Sequence, residues 1–187
     1  MGDIVLTRQP GFGSWFLRIF SGPFPYSHAS LIGESIAGRP TIYAAGHTDG
    51  KRKPFAFLNY GYFRQLDAAA YLKGKNYVVC RYRAPDGREG LTPRQRKRLL
   101  GWCHHNLGEK YPGLKVFRFF TEGLKGLGVT QIIYPRYAHH EHCFESVAEA
   151  YQQAGIILNR RAGNLDPSGY DGKEIYFSPH LVDVYQA

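Results

Sequence analysis

Seven consecutive residues combine three histidines, two carboxylic acids and a thiol, directly before a stretch with helical periodicity. Residues 139–145 read HHEHCFE, and from Val147 the apolar residues recur at helical spacing until Gly155. This pattern predicts that Cys143 lies in the first turn of a helix. The partial positive charge at a helix N-terminus stabilises a thiolate. A nucleophilic cysteine is therefore the chemistry that this segment favours, and it requires a base within hydrogen-bond distance.

The histidines next to Cys143 are also candidate metal ligands. The rest of the sequence does not favour a metal site. Structural zinc sites usually combine ligands from two separated clusters. No CxxC or HxxxH partner is present, although His104 and His105 are available as ligands. We therefore predict no metal and no cofactor. His139, His140 and His142 are expected to line the entrance to Cys143 or to face solvent.

Composition limits the class of protein. The 187 residues suit a single domain, residues 1–187, and 43 % apolar residues are enough for a core. Twenty-two glycines imply many turns and favour an α+β fold. A net charge of +9 makes anionic partners plausible, whether nucleic acid, acidic lipid surfaces or cell-wall polymers. Ordinary solvated faces explain the same charge, and the sequence does not decide between them.

The cysteines and the N-terminus bear on location. Cys80, Cys103 and Cys143 are too few and too far apart for a disulfide framework, which favours a reducing compartment. Residues 1–6 lack the basic start and long apolar core of a signal peptide. No apolar run approaches the roughly 20 residues of a membrane span. We expect a soluble cytoplasmic protein, with export by a route without a cleaved signal as the open alternative.

Periodicity and turn residues predict the following elements. Strands are expected at 3–8, 29–32, 40–45 and 76–83, the second and third as a hairpin, with weaker candidates at 131–134 and 156–158. Helices are expected at 11–20, 93–107 and from Cys143, with a short terminal helix opened by Ser178-Pro179. Residues 55–71 are ambiguous.

Four segments occur in a characteristic order: GDIVL at 2–6, YSHASLIG at 26–33, LGEKY at 107–111 and CFE at 143–145. This order resembles the circularly permuted branch of the papain-like NlpC superfamily, especially the YiiX-like cysteine hydrolases and, more distantly, the lecithin retinol acyltransferase group. The resemblance covers roughly residues 2–158. It implies a permuted papain-like α+β fold, with a small antiparallel sheet and helices packed against one side.

The resemblance also implies roles for individual residues. Cys143 would be the nucleophile and His28 the base. Related proteins place a third polar residue on the strand after the histidine, but Ala44 and Ala45 occupy that stretch here. His47 is our choice for the third residue; Tyr43, or a dyad without a third residue, are the alternatives. Phe144 stands where the family has serine, which would alter the mouth of the site.

The predicted function is a cysteine hydrolase of the amidase or peptidase type. Its substrate would be a peptide or acyl-amide, derived from the cell wall or lipid-like. One alternative is a lipid acyltransferase or thioesterase that uses the same cysteine and histidine. Another is a catalytically inactive module that binds through its basic surface, for which the run Arg94–Arg98 is the candidate. Nucleic-acid binding is not favoured, because it needs basic residues interleaved with exposed aromatic residues on one sheet, which the sequence does not establish.

Overall fold

An antiparallel sheet forms the centre of the fold. The computed structural model describes residues 1–8, 26–46, 61–111, 143–158 and 178–186. In these ranges seven strands form one sheet with the order β6-β4-β3-β2-β1-β5-β7. They are β1 (Ile4–Arg8), β2 (His28–Ile32), β3 (Thr41–Gly46), β4 (Gly61–Asp67), β5 (Asn76–Tyr82), β6 (Lys110–Tyr111) and β7 (Leu181–Gln186). The helices are α1 (Ala68–Leu72), α2 (Pro93–His105) and α3 (Cys143–Gln153). The predicted α+β class is confirmed.

The predicted hairpin of β2 and β3 is present. Leu31 pairs with Tyr43 and Ile32 with Ile42 in an antiparallel register. The connection ends in a tight turn in which Ala37 and Gly38 have φ values of 50° and 76°. Two successive left-handed residues give the twist that matches antiparallel strands. This turn sets which side chains of β2 face each side of the sheet.

Each face of the sheet carries its own apolar layer, because alternate residues of a strand point to opposite faces. One face, here called the α3 face, packs against α2 and α3 through residues that include Ile4, Leu6, Ala29, Leu31, Val78 and Cys80. The opposite α1 face carries Val5, Ile42, Val79 and Ala68. Helices therefore cover both faces. The expectation of helices on one side is wrong, because β1, β3 and β5 are apolar on both of their faces and need cover on each.

Helix α2 begins where the sequence predicts. Thr92 caps it, and Gln95 reaches back to the Thr92 backbone to complete a capping box ahead of Pro93 in the first turn. Leu99, Leu100 and Cys103 are buried against the sheet. The helix ends at His105, two residues before the predicted end.

Two predicted elements near the C-terminus are wrong. Ile156 and Leu158 are buried, but residues 156–158 form no strand. The residues after Ser178-Pro179 form β7, which pairs with β5, instead of a helix. The physical reason is composition: LVDVYQ is rich in β-branched and aromatic residues, and the edge of β5 offers a ladder to pair with. The predicted elements at 11–20 and 131–134 lie outside the described residues.

Candidate active site

Cys143 is the first residue of α3, as the sequence predicts. Its side chain is 7 % exposed and belongs to the apolar layer that includes Val147 and Ala150. Glu145 is buried in the same first turn, where a carboxylate suits the helix dipole. The thiol therefore lies at the positive end of a helix, in surroundings from which most water is excluded.

The position of α3 along the sheet follows from two hydrogen bonds at its other end. The Tyr151 hydroxyl donates to the carbonyl of Gly2 at 2.6 Å. The Gly2 amide in turn donates to the carbonyl of Ile32, at the end of β2, at 2.7 Å. Cys143 precedes Tyr151 by eight residues, about 12 Å along a helix axis. Because α3 packs on β2, Cys143 lies towards the end of the sheet where β2 begins with His28.

His28 starts β2, but its side chain lies on the α1 face. Its ring centroid is 6.5 Å from that of Tyr71 in α1. Ser30, two residues along the same strand face, makes a 3.2 Å hydrogen bond with the Tyr71 hydroxyl. Ala29 and Leu31, the alternate residues, face α3. The side chains of His28 and Cys143 therefore lie at one end of the sheet but on opposite faces.

This structure does not bring the predicted catalytic pair together. The resemblance pairs these two residues, and the strand alternation separates their side chains. His28 pairs with Thr7 of β1, whose neighbour Val5 also lies on the α1 face. A side chain at this position cannot take a proton from a thiol under α3 without a change of register. The role of His28 as base remains a prediction for which this arrangement offers no contact.

The surroundings of His28 keep its imidazole neutral. Complete burial, together with the nearby Lys75 ammonium, lowers the pKa of His28 to about 3. Lys75 lies 3.4 Å from the centre of the Tyr71 ring, a cation–π contact. Within the described part of the chain, His28 Nε2 and Thr7 Oγ1 are buried without a hydrogen-bond partner. The cluster of His28, Tyr71 and Lys75 was not predicted from the sequence. The one signal for it is that Tyr71 and Lys75 follow β4 four residues apart.

Tyr43 does not orient His28. It belongs to the α3 face, where its hydroxyl makes a 2.6 Å hydrogen bond with His104 Nε2 of α2. The hairpin register, continued from Leu31 and Tyr43, places His28 opposite Gly46, which has no side chain to offer. The alternative of Tyr43 as the third residue is therefore wrong, because the side chains of Tyr43 and His28 lie on opposite faces of the sheet. His47 lies outside the described residues, and its role remains a prediction.

The other two cysteines are poor nucleophiles. Burial raises the pKa of Cys103 to about 12. Burial also raises the pKa of Cys80 far above its usual range, and the Asp183 carboxylate, which accepts a hydrogen bond from the Cys80 thiol at 3.4 Å, adds to this. Both thiols belong to the core. Cys143 is consequently the one thiol with a position suited to catalysis.

The GDI motif holds an ion pair that sequence reasoning did not assign. Asp3 is 6 % exposed, and both of its carboxylate oxygens accept hydrogen bonds from the guanidinium of Arg81, at 3.1 and 2.8 Å. The pair ties the start of β1 to the end of β5. The neighbouring Gly2 carbonyl accepts the hydrogen bond from the Tyr151 hydroxyl. This corner of the sheet therefore holds α3 in place.

Metal ligands do not cluster in the part of the chain that the structure describes: it has no group of three or more histidine, cysteine, aspartate or glutamate side chains suited to an ion. His104 is engaged with Tyr43. His139, His140 and His142 lie outside these residues. Among the described helices, none is both long and apolar enough to cross a membrane.

Comparisons with known proteins identify the fold. No protein-family model matches the chain, and no curated protein matches its sequence. The crystal structure of metalloprotein yiiX from Escherichia coli O157:H7 is similar to this chain with a TM-score of 0.64 and 16 % sequence identity. The match covers 100 % of this chain and 96 % of that one. The chain therefore has a YiiX-like fold, which is the part of the resemblance that this comparison confirms.

Proposed function

We propose that this protein is a papain-like cysteine hydrolase of the permuted type, with Cys143 as its nucleophile. The observation that carries the proposal is the position of Cys143 in the first turn of α3, at the end of the sheet where β2 begins. The YiiX-like fold and the order of the four motifs support it. The substrate class we propose is an amide bond, in a cell-wall peptide or in an N-acyl, lipid-like molecule.

The reaction would proceed through a thioester. The Cys143 thiolate attacks the carbonyl carbon, and the negative charge that develops on the oxygen is stabilised by backbone N–H groups at the start of α3. The C–N bond then breaks, and the amine leaves with the proton that the base took from the thiol. Water attacks the thioester, giving up a proton to the same base, and the carboxylic acid leaves as the thiolate is regenerated.

For the base we propose a residue other than His28, the choice from the sequence, because the His28 side chain lies on the α1 face beside Tyr71. His28 would reach the α3 face only if β2 shifted by one residue against β1, because such a shift turns over every side chain of the strand. The same shift would remove Ala29 and Leu31 from the core. We therefore propose an imidazole other than His28. The sequence places His142 next to Cys143, and His139 and His140 within four residues of it.

Two rival functions rest on the same fold. In the first, the thioester is resolved by a second lipid instead of water, which makes the protein an acyltransferase. In the second, the protein is a non-catalytic module that binds through its charge. The similar yiiX protein is described as a metalloprotein, and metal dependence of any activity is a further alternative that the His-rich segment makes worth testing.

The test is a set of labelled substrates offered to matched variants. Wild type, Cys143→Ala and the control Cys103→Ala would be incubated with an N-acyl amide, a diacyl lipid and a cell-wall peptide, with and without a chelator. We expect Cys143→Ala to abolish turnover and the control to retain it. Turnover that survives in Cys143→Ala would refute the proposal, and release of acyl-lipid instead of free acid would favour the acyltransferase.

The base is tested separately. His142→Gln, His140→Gln and His28→Gln would be compared by the dependence of Cys143 alkylation on pH. We expect a histidine that serves as base to alter this profile when it is replaced, and His28→Gln to leave it unchanged. A changed profile in His28→Gln alone would instead restore His28 as the base.

A further inference from the structure

The outer side of α2 carries a row of basic residues. Arg94, Lys97, Arg98 and His105 recur at i, i+3, i+4 and i+11, so that they share one side of the helix. All four are exposed, as is Gly101 between them. We call these four residues the basic stripe. From Arg94 to His105 it extends about 16 Å along the helix.

This arrangement does not favour the stability of the free protein. Helix α2 has no acidic residue in its first turn, and neutral Gln95 takes the capping-box position that glutamate commonly fills. Cations near a helix N-terminus oppose the dipole, and Arg94 and Arg98 repel each other at i, i+4. The ion pairs in the described part of the chain involve Arg81, Arg83 and Arg88, none of them in α2. An external anion would relieve this repulsion.

The helix that carries the basic stripe is packed firmly against the core. Leu99 and Cys103 on the inner side of α2 are fully buried, and Trp102 packs edge-on against Phe63 at 5.6 Å between ring centroids. The capping box fixes the first turn. The basic side chains are therefore presented along one straight side of a fixed helix, and the aromatic side chain of α2 packs towards the core.

We propose that the basic stripe docks the protein onto an anionic phospholipid surface. A plane of headgroups can meet all the basic residues of one straight helix side together. Single-stranded nucleic acid binding needs exposed aromatic side chains, which the stripe lacks. Each cation near an anionic bilayer is worth about fivefold in partitioning. This docking is independent of Cys143, and it would hold if the protein were not a hydrolase.

The experiment is vesicle co-sedimentation with the full chain. Vesicles of phosphatidylcholine with about 30 % phosphatidylserine would be compared with phosphatidylcholine alone, at low and high salt. The test variant is R94E/R98E, and the matched control is R39E/K73E, which removes the same charge from exposed positions elsewhere. A milder R94Q/R98Q variant and thermal unfolding of each protein guard against misfolding. A duplex and a single-stranded oligonucleotide are offered in parallel.

We expect binding to the anionic vesicles at low salt, reduced by at least about 25-fold in R94E/R98E and much less in the control. The α2 variants should unfold at the same temperature as wild type or higher, because the repulsion is removed. Equal loss in test and control variants would overturn the proposal in favour of unspecific net charge. Binding to oligonucleotide without binding to vesicles, or no binding to either, would also overturn it.

Discussion

The neutral, buried state of His28 predicts a measurable dependence of stability on pH. Its pKa is lowered to about 3 in the folded protein, against about 6.5 in the unfolded chain. The unfolded chain therefore binds the proton more tightly. The stability associated with His28 is fully present above pH 6.5 and is lost as the pH falls from there towards 3. The direction is the one expected for a group that must be neutral to be buried.

The magnitude follows from the two pKa values. Protonation of His28 in the unfolded chain lowers the free energy of unfolding by about 2 kcal/mol between pH 7.5 and pH 5.0. Below pH 3 the full decrease is about 5 kcal/mol. In His28→Gln this contribution disappears. The free energy of unfolding of the variant should therefore fall by about 2 kcal/mol less than that of wild type over the same interval.

The assay is urea unfolding at pH 7.5, 6.0 and 5.0, with each protein compared with itself across pH. His105→Gln, on the exposed side of α2, serves as the control for the loss of one histidine elsewhere. If His28→Gln and wild type lost the same free energy between pH 7.5 and 5.0, His28 would not be buried in the neutral state. The placement of its side chain between β1, β2 and α1 would then be refuted.

Three further substitutions test the packing that positions α3. Gly33→Ala should destabilise by about 1–3 kcal/mol, because its Cβ would lie 2.7 Å from a ring carbon of Tyr43; thermal unfolding measures it. Asp3→Asn should cost about 1–3 kcal/mol by weakening the two-point contact with Arg81 at the end of β5, measured by urea unfolding. Tyr151→Phe should cost about 1–2 kcal/mol by leaving a buried backbone carbonyl without its donor, and amide exchange in β1 should rise.

Matched controls separate these effects from general damage. Gly101→Ala lies mid-helix in open space and should raise stability by about 0.5–1 kcal/mol. Arg83→Gln breaks an ion pair whose side chains are each nearly half exposed, and should cost less than about 1 kcal/mol. A loss at Arg83 equal to that at Asp3 would contradict the importance given to the pair of Asp3 and Arg81, in which the carboxylate is buried.

The sequence predicted the main elements because their signals are local. Thr92-Pro93 starts α2, the turn before Arg39 closes the hairpin, and the apolar residues after Cys143 form α3. The pairing of β7 with β5 joins residues about a hundred positions apart. That ladder depends on an available strand edge, which no local pattern reveals.

The relation of His28 to Cys143 could not be derived for a different reason. The resemblance pairs the two residues, but it does not give the face of the sheet on which each side chain lies. The face depends on the parity of the strand register, and a shift of one residue reverses it. Tyr43 was assigned to the wrong face for the same reason. In the observed register Ile42 and Ala44 are the residues that share a face with His28.

The central claim is that Cys143 is a nucleophile that forms a thioester, and the most direct measurement is the trapping of that adduct. Wild type and Cys143→Ser would be mixed with an activated acyl substrate at neutral pH, quenched in acid and analysed by intact and peptide mass. The account predicts one acyl group, on the peptide that contains Cys143, and none on the peptides of Cys80 and Cys103, where burial raises the thiol pKa. Acylation spread over all three cysteines, or no adduct at Cys143, would contradict it.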